Sequence, residues 1–198
     1  FFAADLAAWH LGILKTKLAN ANLLGNAASF LFPIYGFLIA RRWPNRMQGI
    51  AILLAAIGAA LLLGRSYEVS HDNLIGDLLC LLAGVFYLGY LIFIDRMRGT
   101  MGPWPALFWS TPASALPLLV AAVWMGERVM PDNWSPLLLL AAGSQLLGQG
   151  LLVSVIGRLS PLVIGLALLL QPMIAALVGW MAYGETLTPL DWAGASLI

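Results

Sequence analysis

Asp5 and Trp9 stand four residues apart in an apolar stretch, with His10 directly after them. On a helix Asp5 and Trp9 share a face, while His10 is turned about 100° away. A carboxylate at the centre of a bilayer costs roughly 2.5–3.5 kcal/mol on insertion scales, so it belongs in a bundle interior or a wet cavity. Asp5 there is a proton- or substrate-coupling group beside an aromatic wall. The alternative is an interfacial Asp with Trp9 at headgroup level. Gln145 and Gln149 also lie four apart, near Gly148, and bring two amides that donate and accept hydrogen bonds. They suit solute recognition or interhelical bonding, the latter worth about 0.6 kcal/mol on average. Gln171 precedes Pro172. A proline inside a helix leaves the carbonyl four residues back, at Leu168, without its donor. The result is either a simple kink or a locally opened helix with an amide beside it, as at the midplane sites of carriers.

Tyr87 and Tyr90, with Phe86 and Phe93 around them, offer an aromatic wall or ordinary packing, and Trp109 ahead of Pro112 is read the same way. Asn20, Asn22 and Asn26 cluster at the start of another run. Asn22 suits a helix cap, and Asn26, one turn deeper, suits a solute pathway. Asp77 lies one turn into its run, where a helix N-terminus favours negative charge. Cys80 is read as a small packed hydrophobe. Ala51, Ala55 and Ala59 form a small-residue stripe for close helix packing. No His-Glu-x-x-His, Gly-x-Ser-x-Gly or Walker pattern occurs. With His10 and His71 the only histidines and one cysteine, neither a metal site nor an enzyme is expected.

The elements that must carry these groups are apolar throughout. Hydrophobic residues make up 61% of the chain and charged ones 10%, with mean hydropathy +0.89. A soluble domain carries about 25% charged residues, so this chain cannot coat a water-soluble globule. The net charge of +1 is no nucleic-acid footprint. Apolar runs cover 1–18, 23–40, 47–64, 74–94, 104–125, 134–156 and 161–183, and an eighth starts at Pro189. Complete runs approach the roughly 20 residues that cross a bilayer as a helix. None alternates in the manner of an outer-membrane strand. The reading is all-α, a polytopic transmembrane helix bundle whose short connections make sequential helices antiparallel neighbours.

Basic residues orient it. The second, fourth and sixth loops hold Arg41, Arg42, Arg46, Arg96, Arg98 and Arg158. The others hold Lys15, Lys17, Arg65 and Arg128, with Glu68, Asp72, Glu127, Asp132 and Glu185. The even-numbered loops are therefore expected on the cytoplasmic side. Lys15 and Lys17 run against this and are read as snorkelling.

Two stretches resemble one another: Ala19 to Ile50, and Leu159 to Gly194. Each has an apolar helix, a tight polar knot and a following helix. Five crossings separate them, an odd number, so the copies point in opposite directions. Inverted repeats of this kind build many secondary transporters. The segment Gly184-Glu185-Thr186-Leu187-Thr188-Pro189-Leu190-Asp191-Trp192-Ala193-Gly194 resembles the signature between the last two helices of EamA-type transporters, in the drug/metabolite transporter superfamily. Leu159-Ser160-Pro161 and Gln171-Pro172 fit that family's penultimate helix, and 4–10 with 19–26 resemble the third and fourth helices of its first repeat. The first knot, Arg41-Arg42-Trp43-Pro44-Asn45-Arg46, lacks the Gly-Glu of the second, and Ser29 stands near where the fourth helix often carries proline.

The resemblance implies ten helices in two inverted five-helix repeats, here truncated at both ends. Residues 1-64 would hold helices three to five and residues 74-198 helix six to the start of ten. It implies an alternating-access carrier of small organic metabolites, such as amino acids or related solutes, working as an exporter in a bacterial inner membrane. Trp9, His10, Asn26, Tyr87, Tyr90, Trp109, Gln145, Gln149 and Gln171 are the expected substrate pathway, and Asp5 the coupling group. Glu185 is read as structural, setting the last turn. Expected partners are the lipid bilayer and a small solute, without nucleic acid or cofactor; a homodimer is left open. The rivals are a non-transporting membrane scaffold and, with less support, a membrane-embedded enzyme. A channel would need a carbonyl filter or a ring of charges, and the sequence has neither.

Overall fold

A computed structural model describes residues 1–64, 73–183 and 186–198. The knot residues Gly184 and Glu185, and the loop with Arg65, Glu68, His71 and Asp72, lie outside the described residues. The chain forms α1 (Phe2–Ile13), α2 (Leu18–Gly25), α3 (Ala28–Ala40), α4 (Arg46–Gly64), α5 (Leu74–Met101) and α6 (Pro103–Trp124). There follow α7 (Ser135–Leu140), a π-helical segment (Ala141–Gln149), α8 (Gly150–Val155), α9 (Pro161–Leu168), α10 (Leu170–Tyr183) and α11 (Pro189–Leu197). Five stretches are long and apolar enough to cross a membrane: Asn20–Ala40, Leu74–Met101, Pro103–Trp124, Ser135–Val155 and Pro161–Val178. The protein is an all-helical, multi-pass membrane bundle. Leu116, Val120, Val123, Leu139, Leu147 and Leu151 are among many large apolar side chains that remain exposed. In water such an area would be an association surface; in a bilayer it is the lipid-facing belt.

Small residues set the helix spacing, as packing without a hydrophobic drive requires. A Cβ on Gly36 would strike Pro161, and one on Gly165 would strike the Ser29 carbonyl and Pro33. Along α3 from Ser29 to Gly36, the partners on α9 therefore run backward from Gly165 to Pro161. The two helices cross antiparallel at backbone contact. Pro33 explains part of the fit: it lacks the N–H that would bond the Ser29 carbonyl, and that freed oxygen faces Gly165. Gly58 of α4 meets the Gly194 carbonyl of α11 in the same way. The stripe read on α4 behaves accordingly, with Ala55 and Ala59 buried.

Several element boundaries differ from the sequence reading. The first apolar run is not one helix to Leu18: α1 ends at Ile13 and α2 begins at Leu18. Asn20 and Asn22 therefore lie inside α2, and the residue flanking its start is Lys17, without a side-chain cap. Asn22 is thus not a cap. The Asp95–Gly99 knot does not end its helix, because α5 continues to Met101. Arg96, Met97 and Arg98 within the knot are good helix formers, and charge alone does not stop a helix. Two spans are broken within: α2 passes to α3 at Asn26–Ala27, and α9 to α10 at Leu169.

The helices α4 and α11 open with the same device. Asn45 N–H donates to Gln48 Oε1 and Gln48 N–H to Asn45 Oδ1, both at 2.9 Å. Thr188 N–H donates to Asp191 Oδ2 at 2.7 Å, closing a capping box. Each satisfies donors that a helix start leaves unpaired.

Candidate solute cavity

The two helix breaks face one cavity of about 550 Å³. From α1 come Asp5, Leu6 and Trp9. From the first broken span come Ala21, Asn22, Gly25, Asn26 and Ser29. Tyr87 of α5, Ser144 of the π-helical segment, Leu168 and Gln171 complete it. The volume lies within the roughly 300–1,000 Å³ of small-molecule sites. Asp5 is its one ionisable carboxylate; its other polar side chains are neutral hydroxyls, amides and an indole. Among the described residues, no hydrogen bond or ion pair to the Asp5 carboxylate is found.

The first break is built by Asn26. Its side-chain amide donates to the Asn22 carbonyl at 2.8 Å, and its backbone N–H bonds the same oxygen at 3.1 Å. Ala27 N–H then bonds Leu24 at 3.1 Å, a tighter turn than an α-helix makes. Gly84 of α5 approaches this turn so closely that a Cβ would sit 3.1–3.2 Å from the Leu24 and Gly25 carbonyls. Gly25 in turn leaves room for the Trp9 indole, 3.3 Å from where a Cβ would stand. At the second break Leu169 N–H is shared between the Gly165 and Leu166 carbonyls, at 3.2 and 3.1 Å. Pro172 removes the donor the Leu168 carbonyl would otherwise have, so the interruption falls next to the carbonyl picked out in the sequence.

Behind the wall, Tyr90 is buried and donates its hydroxyl to Gln149 Oε1 at 3.1 Å, tying α5 to the end of the π-helical segment. Its ring lies 5.8 Å from Tyr87 and 4.8 Å from Phe2. Asp77 does not cap its own helix. Its carboxylate accepts from Thr16 Oγ1 and, at 3.0 and 3.2 Å, from the buried Asn20 amide. A buried charge needs such partners, and here they pin the start of α5 to α2.

Of the residues singled out in the sequence, Asp5, Trp9, Asn26, Tyr87 and Gln171 line the cavity. Tyr90 and Gln149 support its wall. His10, expected on the pathway, does not line the cavity: its Nε2 lies 3.2 Å from Glu127 Oε1 at an exposed position. Trp109 and Gln145 line a separate outer groove with Trp104, Phe108 and Pro112. Gln145 and Gln149 thus serve different surfaces, Gln145 the outer groove and Gln149 the Tyr90 hydroxyl. Ser29, Ser144 and Asn22 are cavity residues that the sequence reading did not select. The two serines carry no penalty in a helix that would flag them, because a hydroxyl can bond a backbone carbonyl one turn back, as Ser144 does to Leu140 at 2.7 Å.

The sequence profile of the EamA-like transporter family matches residues 74–198. The chain belongs to the EamA-like transporter family. It is 30% identical over 166 residues to the threonine/homoserine exporter RhtA of Escherichia coli K12, a match spanning 83% of this chain and 56% of RhtA. The RhtA of Salmonella typhimurium matches over the same shares at the same identity. The chain thus spans little more than half the length of these curated relatives. A protein of known crystal structure superposes with a TM-score of 0.81 over 98% of this chain and 69% of its own, at 16% identity, which bears on the fold alone.

Proposed function

We propose that this EamA-family chain is the solute-binding part of a secondary transporter. It carries small zwitterionic metabolites of the amino-acid class across a bacterial inner membrane, in the direction of export. The observation that carries this is the cavity: two interrupted helices, a carboxylate with no partner among the described residues, and a lining of neutral amides and hydroxyls. Interrupted helices at membrane depth expose backbone groups to a bound solute. Asp5 would take the ammonium group, while the amides of Asn22, Asn26 and Gln171 would take the carboxylate and the Trp9 and Tyr87 rings would bound the side chain. The RhtA relatives, named as threonine and homoserine exporters, support the solute class and the direction. Residues 1-64 and 74-198 form the two repeat halves, and alternating access comes from one half rocking against the other. Nothing in the lining offers a nucleophile paired with a base, which favours a carrier over an enzyme.

The test is efflux from cells expressing the full-length parent and loaded with a panel of amino acids. Faster efflux of one class is expected, falling about tenfold in Asp5→Asn and in Gln171→Ala, since hydrogen bonds to charged groups contribute about 1.5–3 kcal/mol each. Gln145→Ala, in the outer groove, is expected to leave efflux unchanged. Unaltered efflux from parent protein verified in the membrane, for every solute, would favour the scaffold reading.

A further inference from the structure

The connection between α3 and α4 carries a further concave surface, which shares no lining residue with the solute cavity or the outer groove. Ile34, Phe37 and Leu38 of α3 and Ile52 of α4 line a groove of about 430 Å³. Ile34, Phe37, Leu38 and Arg41 fall at helical spacing on one face, so the apolar stripe leads directly to a cation. Arg41 and Arg42 stand at the mouth, and both are exposed. Trp43 beside them is 94% exposed. Arg46 follows one turn later, also exposed. Among the described residues none of these three guanidinium groups has an ion-pair partner.

The backbone fixes this arrangement. Arg41 ends α3 in the left-handed conformation, φ 48°, and is the one non-glycine residue with positive φ among the described residues. Its N–H bonds the Leu38 carbonyl and that of Arg42 bonds Phe37, each at 3.2 Å, the pattern that usually ends on glycine. An arginine held where glycine is preferred points to a use for its side chain.

We infer that this groove binds one anionic phospholipid, its phosphate between Arg41 and Arg42 and an acyl chain against Ile34, Leu38 and Ile52. Charge complementarity selects an anionic headgroup, and clustered arginines at the end of a span are suited to one. The apolar floor selects a lipid over a free anion, which would have no use for it. Trp43 sits where indoles prefer to lie, at the headgroup level.

Native mass spectrometry of the full-length parent, from micelles holding equal dioleoyl phosphatidylglycerol and dioleoyl phosphatidylcholine, tests this. Wild type is expected to retain phosphatidylglycerol preferentially. The Arg41→Gln/Arg42→Gln variant is expected to lose that preference by about 30-fold, the worth of two cations at an anionic surface, with its phosphatidylcholine retention unchanged. Equal retention of the two lipids by wild type would overturn the proposal, whether or not the variant folds. So would unchanged phosphatidylglycerol retention in the variant, or displacement of the lipid by an equal concentration of glycerol phosphate.

Discussion

Asp77 illustrates how far a single residue can be read. Its place one turn into an apolar run suggests a helix-start carboxylate, and it is one, yet its oxygens serve Thr16 and Asn20 across the bundle. Sequence spacing gives the position on a helix but not which neighbour lies opposite. The consequence is measurable. Asp77→Ala removes the carboxylate that accepts from Thr16 and from the buried Asn20 amide, and hydrogen bonds to a charged group contribute about 1.5–3 kcal/mol. Unfolding of the purified full-length protein in mixed detergent is expected to shift by that amount, whereas no change would mean the contact contributes nothing net. The same limit explains which of the selected residues line the cavity. Asp5, Trp9, Asn26, Tyr87 and Gln171 were legible because each is a polar or aromatic group that hydrocarbon would reject. His10 and Trp109 passed the same filter and lie elsewhere, because rejection from lipid is satisfied equally by a surface ion pair or an interfacial groove. Ser29 and Ser144 failed the filter and line the cavity; the Ser144 hydroxyl bonds the Leu140 carbonyl of its own helix, so hydrocarbon need not reject it.

At the level of elements, existence was easier to read than interruption. The apolar runs marked the spans, and Pro172 marked one break, because a missing N–H is visible in the residue type. The break at Asn26–Ala27 has no proline; it depends on an amide bonding the carbonyl one turn back and on Gly84 across the interface. The capping boxes Asn45-Arg46-Met47-Gln48 and Thr188-Pro189-Leu190-Asp191 carry a sequence signal, a polar cap with a side-chain acceptor three residues on. They strengthen the proposed equivalence of α4 and α11 in the two halves more than any likeness of apolar residues does. Glycine contacts give the sharper prediction. At Gly165 a Cβ would meet the Ser29 carbonyl and Pro33, and neither backbone nor ring can rotate aside. At Gly49, in α4, a Cβ would find nothing within 4 Å. Gly165→Leu is therefore expected to abolish recovery of folded protein in size-exclusion chromatography. Gly49→Ala is expected to be neutral or to stabilise by up to about 1 kcal/mol, the helix preference for alanine. Tolerance of leucine at Gly165 would mean that α3 and α9 do not cross at backbone distance.

The whole molecule sorts its loops onto two faces without reference to charge. His10, in the last turn of α1, meets Glu127, after α6, and Thr16, after α1, meets Asp77 at the start of α5. These contacts put the connections after α1, before α5 and after α6 on one face. On the other, the Gly157 turn after α8 lies against Asp95 and Arg98 near the end of α5, and Gly36 near the end of α3 meets Pro161 at the start of α9. The grouping is that of a chain whose successive spans cross in alternate directions, and it coincides with the odd and even loops of the charge count. The second face holds Arg41, Arg42, Arg46, Arg96, Arg98 and Arg158, six basic residues, and the first holds Lys15, Lys17 and Arg128 together with Glu127 and Asp132. An excess of basic residues remains on the cytoplasmic side during insertion, so the face with Arg41 is expected inside and the one with Glu127 outside. In the full-length parent with Cys80→Ser and any cysteine outside this segment replaced, Asn133→Cys should react with a membrane-impermeant maleimide in intact spheroplasts. Asn45→Cys should react only after permeabilisation. The reverse pattern would invert the topology. Labelling of both sites in intact cells would mean that the spans between them do not cross an odd number of times, and the two-face arrangement of the contacts would have to be abandoned.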